Sequence, residues 1–161
     1  MVAKRMYSKR FGEVPRTNEL ASLRGMEAAR IKTAYEVTAS ESGIVWRGRR
    51  YDRSAPDQAD IPNQAINHAV TALEACVAIA VQATATIPPL GFLHEDSSKS
   101  FILDVCDLYR TKVTVPIAFR CAKKASAGES LDRVVRGAVS RFVRETGFID
   151  TVIDDIKELL M

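Results

Sequence analysis

The chain has 161 residues, 47% hydrophobic and 27% charged, with a formal net charge of +3; that length supports one domain with a substantial core. The uncharged stretch 75–94 carries Gln82, Thr84, Thr86 and Pro88-Pro89, which excludes a membrane span there, because a span needs about 20 mainly apolar residues. The basic start at 1–10 leads into no apolar core, so no secretory signal is expected.

The predicted architecture is all-α, a multi-helix domain over 1–161. A short helix over 2–11 is stopped by Gly12 and Pro15, and a long one over 18–42 by Gly43. Residues 44–60 read as a loop or a short hairpin, with Ile44-Val45-Trp46 and Arg49-Arg50-Tyr51 flanking Arg47-Gly48. A helix over 62–86 places Pro62 in its first turn, where a missing N–H is harmless. Ala65, Ala69, Ala72, Ala75 and Ala78 keep that helix slim, Val70, Leu73, Val77 and Val81 give it bulk, and Pro88-Pro89 ends it. The helix carrying Asp104 starts near 98. Another spans 115–124 with Pro116 in its first turn. A polar link at 125–130 leads to two last helices, 131–146 and 148–160. No internal repeat or second domain is expected.

Arginine and lysine gather in 1–53, ending in Arg47-Gly48-Arg49-Arg50-Tyr51-Asp52-Arg53, and again in 110–144, whereas the end of the chain is acidic. This asymmetry suits a polyanion-binding face, and solvated helix faces give the same pattern. Tyr51, Trp46 and the adjacent arginines offer stacking for bases and grip for phosphates; Trp46 reads equally as core, and His68 as structural. Cys76, Cys106 and Cys121 have no CxxC spacing and read as free, buried thiols of a reducing cytoplasm. The chain has no glycine-rich phosphate loop, and no Ser or Cys carries the local signature of a nucleophile.

Chemistry concentrates at three acids and a histidine. Asp104 and Asp107 stand three apart in an otherwise apolar run, so a helix puts both on one face. Paired carboxylates on a buried face need a cation, a shared proton or strong donors. Alternatives are a solvated stripe with Ser100 and Thr111, or an ion pair with Arg110. Glu27 lies on the stripe Leu20, Leu23, Glu27, Ile31 and Ala34, where a structural pair with Arg24 or Arg30 is the ordinary explanation. His94 lies just upstream of the two aspartates. Carboxylates with one imidazole and no thiolate suit Mg²⁺ or Mn²⁺ better than structural zinc, and the imidazole favours Mn²⁺.

The same residues resemble one family, the first CRISPR-associated (Cas) protein, the integrase and endonuclease of spacer acquisition, nearest in its type I-E forms. The likeness runs through Phe11-Gly12-Glu13, Leu23-Arg24-Gly25-Met26-Glu27, Gly48-Arg49-Arg50-Tyr51-Asp52, Asn63-Gln64, Gly91-Phe92-Leu93-His94, Ser100-Phe101, Asp104, Asp107-Leu108 and Val115-Pro116 with Ala118-Phe119. It covers the family's C-terminal helical domain; the β-rich N-terminal domain that normally precedes it is expected to be absent from these 161 residues. The resemblance implies that Glu27, His94 and Asp107 hold a Mg²⁺ or Mn²⁺ ion and that Asp104 is a second active-site acid. It implies DNA contacts at Tyr51, Arg49, Arg50, Arg110 and Arg136. It further implies protospacer and CRISPR-repeat DNA as substrates, joined through 3′-hydroxyl attack on a phosphodiester. A small second CRISPR-associated protein, a homodimer and a cytoplasmic, membrane-free location come with it. One departure stands out: Glu95-Asp96-Ser97 follows His94 where the family often has a Thr-Gly-Lys-like turn. A DNA-binding or assembly module without chemistry, and a purely structural helical protein, are the competing expectations.

Overall fold

The computed structural model describes residues 2–50, 58–95, 97–125 and 129–161. Among them are helices α1 (Val2–Phe11), α2 (Leu20–Ser42), α3 (Ile61–Ala83), α4 (Ser100–Tyr109), α5 (Val115–Lys124), α6 (Leu131–Thr146) and α7 (Phe148–Leu160), and no strand. The all-α expectation holds.

Helix α3 is the axis of the fold and packs against α4, α5, α6 and α7. Asp60 caps its start, the carboxylate accepting from the Asn63 N–H at 3.0 Å, while Pro62 occupies the first turn. Its buried set is Ala65, Ile66, Ala69, Leu73, Val77, Ala80 and Val81. The three alanines let neighbouring helices approach, and the branched residues fill the gaps between them. By length and composition α3 could cross a bilayer, yet this apolar side is the surface on which the other helices pack. Ala69→Leu is expected to cost about 1–3 kcal/mol through overpacking. Urea denaturation tests this; an unchanged midpoint would mean that open space adjoins Ala69.

Helix α3 stops at 83 rather than 86. The Thr84 and Thr86 hydroxyls both donate to the Val81 carbonyl at 2.9 Å, taking up an acceptor that a further turn would have used. Helix α2 ends as expected at Gly43, whose φ of 65° is left-handed, with Ile44 N–H donating back to Ala39 O at 2.8 Å.

Two sequence expectations need correction. The hairpin does not form within 44–50, which holds no strand. Its backbone is met instead by the fully buried Asn63: Arg50 N–H donates to Asn63 Oδ1 at 2.9 Å, and Asn63 Nδ2 donates to Gly48 O at 3.1 Å. A side-chain amide replaces the partner strand. Second, α4 and α5 are not separated by a break. A π-helical turn, Arg110–Thr114, joins them, with Val115 N–H donating to Arg110 O, five residues back. The wider turn relieves the clash that the Pro116 ring would otherwise meet in the preceding turn.

The core closes around aromatic pairs. Trp46 stacks on Tyr35 at 5.3 Å and tilts against Phe119 at 5.2 Å, so it is a packing residue. Cys76, Cys106 and Cys121 are free, and burial pushes all three thiols up.

Candidate active site

Helix α4 is buried nearly all round, including both aspartates. Asp104, 0% exposed, is a hub for the turn at 91–94. Its Oδ2 accepts from Phe92 N–H at 2.6 Å and Leu93 N–H at 3.0 Å, and its Oδ1 from His94 N–H at 2.8 Å. Oδ1 also meets His94 Nδ1 at 2.7 Å. A carboxylate taking these bonds only accepts, so Nδ1 bears the proton and, in the neutral ring, Nε2 is the lone-pair nitrogen. Asp104 is therefore a positioning residue: its oxygens are turned to the loop and the imidazole. The Asp104 hydrogen bond raises His94 above the usual histidine value, more than burial lowers it.

Two further contacts fix the turn. Arg24, on α2, donates from Nε to Leu93 O at 3.0 Å, and its Nη2 lies 3.3 Å from Glu95 Oε2. Gly91 has no room for a side chain: a Cβ there would lie 1.9 Å from His94 O and 2.7 Å from Ser100 Cβ. Gly91→Ala is expected to displace the turn and destabilise the chain by about 2–4 kcal/mol, in the range for steric insertion into packed structure. Thermal unfolding reads this; a shift within about 1 °C, well under 1 kcal/mol, would show that the turn yields freely.

The imidazole Nε2 lies 4.0 Å from Asp107 Oδ2. Asp107 also pairs through Oδ1 with Arg110 Nη2 at 2.5 Å, so the expected ion pair with Arg110 exists, and the solvated-stripe alternative does not survive Asp107's burial. On α2 the buried line is Leu23, Tyr35 and Ala39, with Glu27 and Ile31 between them at four-residue spacing. Glu27 points inward there. Its partner is neither Arg24 nor Arg30, which bind Leu93 O and Glu13 respectively. It is Arg10, at the end of α1, whose Nη1 contacts Glu27 Oε1 and stands 3.6 Å from Asp107 Oδ2. Burial raises the Glu27 carboxyl above its usual value; Arg10 opposes the rise and Asp107 adds to it. Glu27 and Asp107 thus share the Arg10 guanidinium, and His94 Nε2 lies 4.0 Å from the same Asp107 oxygen. Among the described residues no preformed cage of three ligating side chains exists, but two carboxylates and one free imidazole nitrogen around a cation are a donor set that fits a hard divalent ion.

The remaining predicted contacts are scattered. Arg49 and Arg50 are exposed, and Arg49 reaches Asn63 Oδ1 at 2.9 Å and Asn67 Oδ1 at 2.6 Å. Arg110 is half-buried and turned to Asp107. Arg136 is exposed on α6 and pairs with Asp132 at 2.6 Å, to which His68 also turns at 3.0 Å. Tyr51 and Asp96 lie outside the described residues. Sequence reasoning missed Arg10, although Ala3, Met6, Tyr7 and Arg10, all buried, already stand at helical spacing, and it missed Asn63 as the holder of the arginine segment.

The architecture and the site define a class: an all-helical domain whose functional centre is a set of buried acids around an oriented histidine. The chain belongs to the CRISPR-associated protein Cas1 family, whose model matches residues 3–131. It is 37% identical to the CRISPR-associated endonuclease Cas1 1 of Rhodospirillum rubrum over 164 residues, covering 99% of this chain and 52% of the relative. It is 33% identical to the CRISPR-associated endonuclease Cas1 of Escherichia coli over 160 residues, covering 99% of this chain and 52% of the relative. The crystal structure of a TtCas1–DNA complex superposes with a TM-score of 0.89 at 32% identity, covering 98% of this chain and 58% of that one. The chain spans about half the length of the curated relatives it matches.

Proposed function

We propose that this chain is the catalytic helical domain of a metal-dependent Cas1 endonuclease and integrase, of the type I-E form, acting on protospacer and CRISPR-repeat DNA. The observation that supports it is the bridging of Glu27 and Asp107 by one buried cation, Arg10, with His94 Nε2 4.0 Å from the same Asp107 oxygen. Relatives bearing the endonuclease name and a structural neighbour solved with DNA support the substrate.

Glu27, Asp107 and His94 are the residues that would hold Mg²⁺ or Mn²⁺, which when bound would polarise a scissile phosphate and stabilise charge on the attacking and leaving oxygens. The chain's own contributions are positional. Asp104 fixes the Nδ1–H tautomer and leaves Nε2 on the side of Asp107, where it would serve as a ligand. Arg110 pairs with the other Asp107 oxygen, Oδ1. Arg49 and Arg50, exposed and anchored by Asn63, face solvent where a phosphate backbone can be gripped. The partners of the whole assembly, a small second CRISPR-associated protein and a second copy of the chain, belong to the same reading.

Thermal unfolding with and without millimolar Mn²⁺ tests it, on the chain and on His94→Ala. A rise in midpoint only in the unaltered chain is expected, because an ion that binds the folded state alone must stabilise it. No rise in either would leave the DNA-binding or assembly module as the better reading of this chain.

A further inference from the structure

We propose that Arg10 is a resident counter-cation: it bridges Glu27 and Asp107 and must vacate that seat before a divalent ion can enter. This rests on the metal-binding reading above and adds a competitor to it.

The geometry is specific. Arg10 Nη1 touches Glu27 Oε1 and stands 3.6 Å from Asp107 Oδ2. The same Oδ2 is 4.0 Å from His94 Nε2. An ion held between Glu27 Oε1 and Asp107 Oδ2, at metal–oxygen distances of roughly 2.1 Å, would overlap the space that Nη1 now fills. Two positive groups cannot share that seat. Arg10 is also poorly satisfied where it sits. Its side chain is 1% exposed, yet Nε and Nη2 find no hydrogen-bond acceptor among the described residues. Buried guanidiniums normally use their donors. A structural arginine selected for this seat alone would be expected to meet more of them. The Phe11 ring, 5.3 Å from the guanidinium carbon, offers a neighbouring cation–π surface.

Arg10 should therefore weaken metal affinity while stabilising the fold, since without it only Arg110, paired with Asp107 Oδ1, offsets the repulsion between Glu27 and Asp107. A contact that favours the empty state must reduce the apparent affinity for the occupant by the same coupling. An arginine that instead braced Glu27 as a ligand would have the opposite effect on affinity.

The test is a Mn²⁺ titration followed by the electron paramagnetic resonance signal of the free ion, on the chain, Arg10→Met and Arg10→Lys, with thermal unfolding alongside. Arg10→Met is expected to bind Mn²⁺ about tenfold more tightly, within the usual range of coupling between sites. It should unfold at a lower temperature without Mn²⁺ and gain more from adding it. Arg10→Lys keeps the charge without the fork and should fall between the two. Equal or weaker Mn²⁺ binding by Arg10→Met would overturn the proposal. Should Arg10→Met not fold without metal, recovery of a cooperative transition in Mn²⁺ is the expected result, and failure to recover it overturns the proposal. Mn²⁺ binding by none of the forms would overturn the metal reading, and this proposal with it.

Discussion

Asp104→Ala is expected to destabilise the chain by about 3–5 kcal/mol, the scale for removing one partner from a buried charged network. Three backbone N–H groups and the His94 Nδ1–H donate to this one carboxylate, and alanine offers none of them an acceptor. Buried donors left without partners lose their hydration for no return. The damage should not stay local, because the freed turn carries Leu93, part of the core. Asp104→Asn keeps the volume but turns an NH₂ towards N–H groups, so it should recover only part of the loss. Urea denaturation of the three proteins measures this. A loss below about 1 kcal/mol for Asp104→Ala, the size of an ordinary single hydrogen bond, would mean that water replaces the carboxylate and that Asp104 is no hub.

His94→Ala should produce the reverse pattern, a nearly intact fold with lost chemistry. The ring is 37% exposed, and Asp104 keeps its three backbone donors when the ring is removed. A stability change of about 1 kcal/mol is expected, the worth of one hydrogen bond. If the proposed function holds, cleavage of DNA in Mn²⁺ should fall by about 10²–10³, the loss seen when a group that stabilises transition-state charge is removed. The contrast between these two variants separates holding the site from operating it. If His94→Ala cleaved DNA at the parent rate, the imidazole would have no part in the chemistry, whatever its geometry.

Much of the fold was legible because its helices carry their own punctuation. Gly43 ends α2 in a left-handed conformation, and Pro62 and Pro116 stand in the first turns of α3 and α5. Local signals of this kind survive folding unchanged. The hairpin failed because its evidence was turn chemistry without a partner: the groups satisfying Gly48 and Arg50 come from a side chain thirteen or more residues away, which no local window contains. The π turn escaped for a related reason. Pro116 marks the first turn of a helix equally well whether the chain before it breaks or merely widens.

The site divides the same way. Asp104 and Asp107 were conspicuous as acids in an apolar run, and a three-residue spacing placed them together. Spacing alone did not divide their roles, which only the resemblance implied, since which carboxylate serves the loop and which lies near Glu27's partner Arg10 depends on how the 91–94 turn lies across α4. Glu27 was visible as an acid on an apolar stripe, but its counter-charge was sought on its own helix. Helix α1 supplies it instead, across a separation of 17 residues. Spacing reveals which face a side chain occupies; only packing decides what it meets there.

The carboxylate of Asp104 grips the turn through main-chain amides of Phe92 and Leu93, groups that every residue except proline possesses. The path of the turn is thereby uncoupled from the identity of the side chains along it. Phe92 answers to a different constraint, its edge-on contact with Phe101 at 5.8 Å, and Leu93 to the hydrocarbon wall. Substitutions at these two positions can drift among apolar residues without re-aiming the imidazole, whereas proline at either would sever the grip. Tolerance and intolerance at 92 and 93 should thus follow the backbone's needs first and the side chain's second.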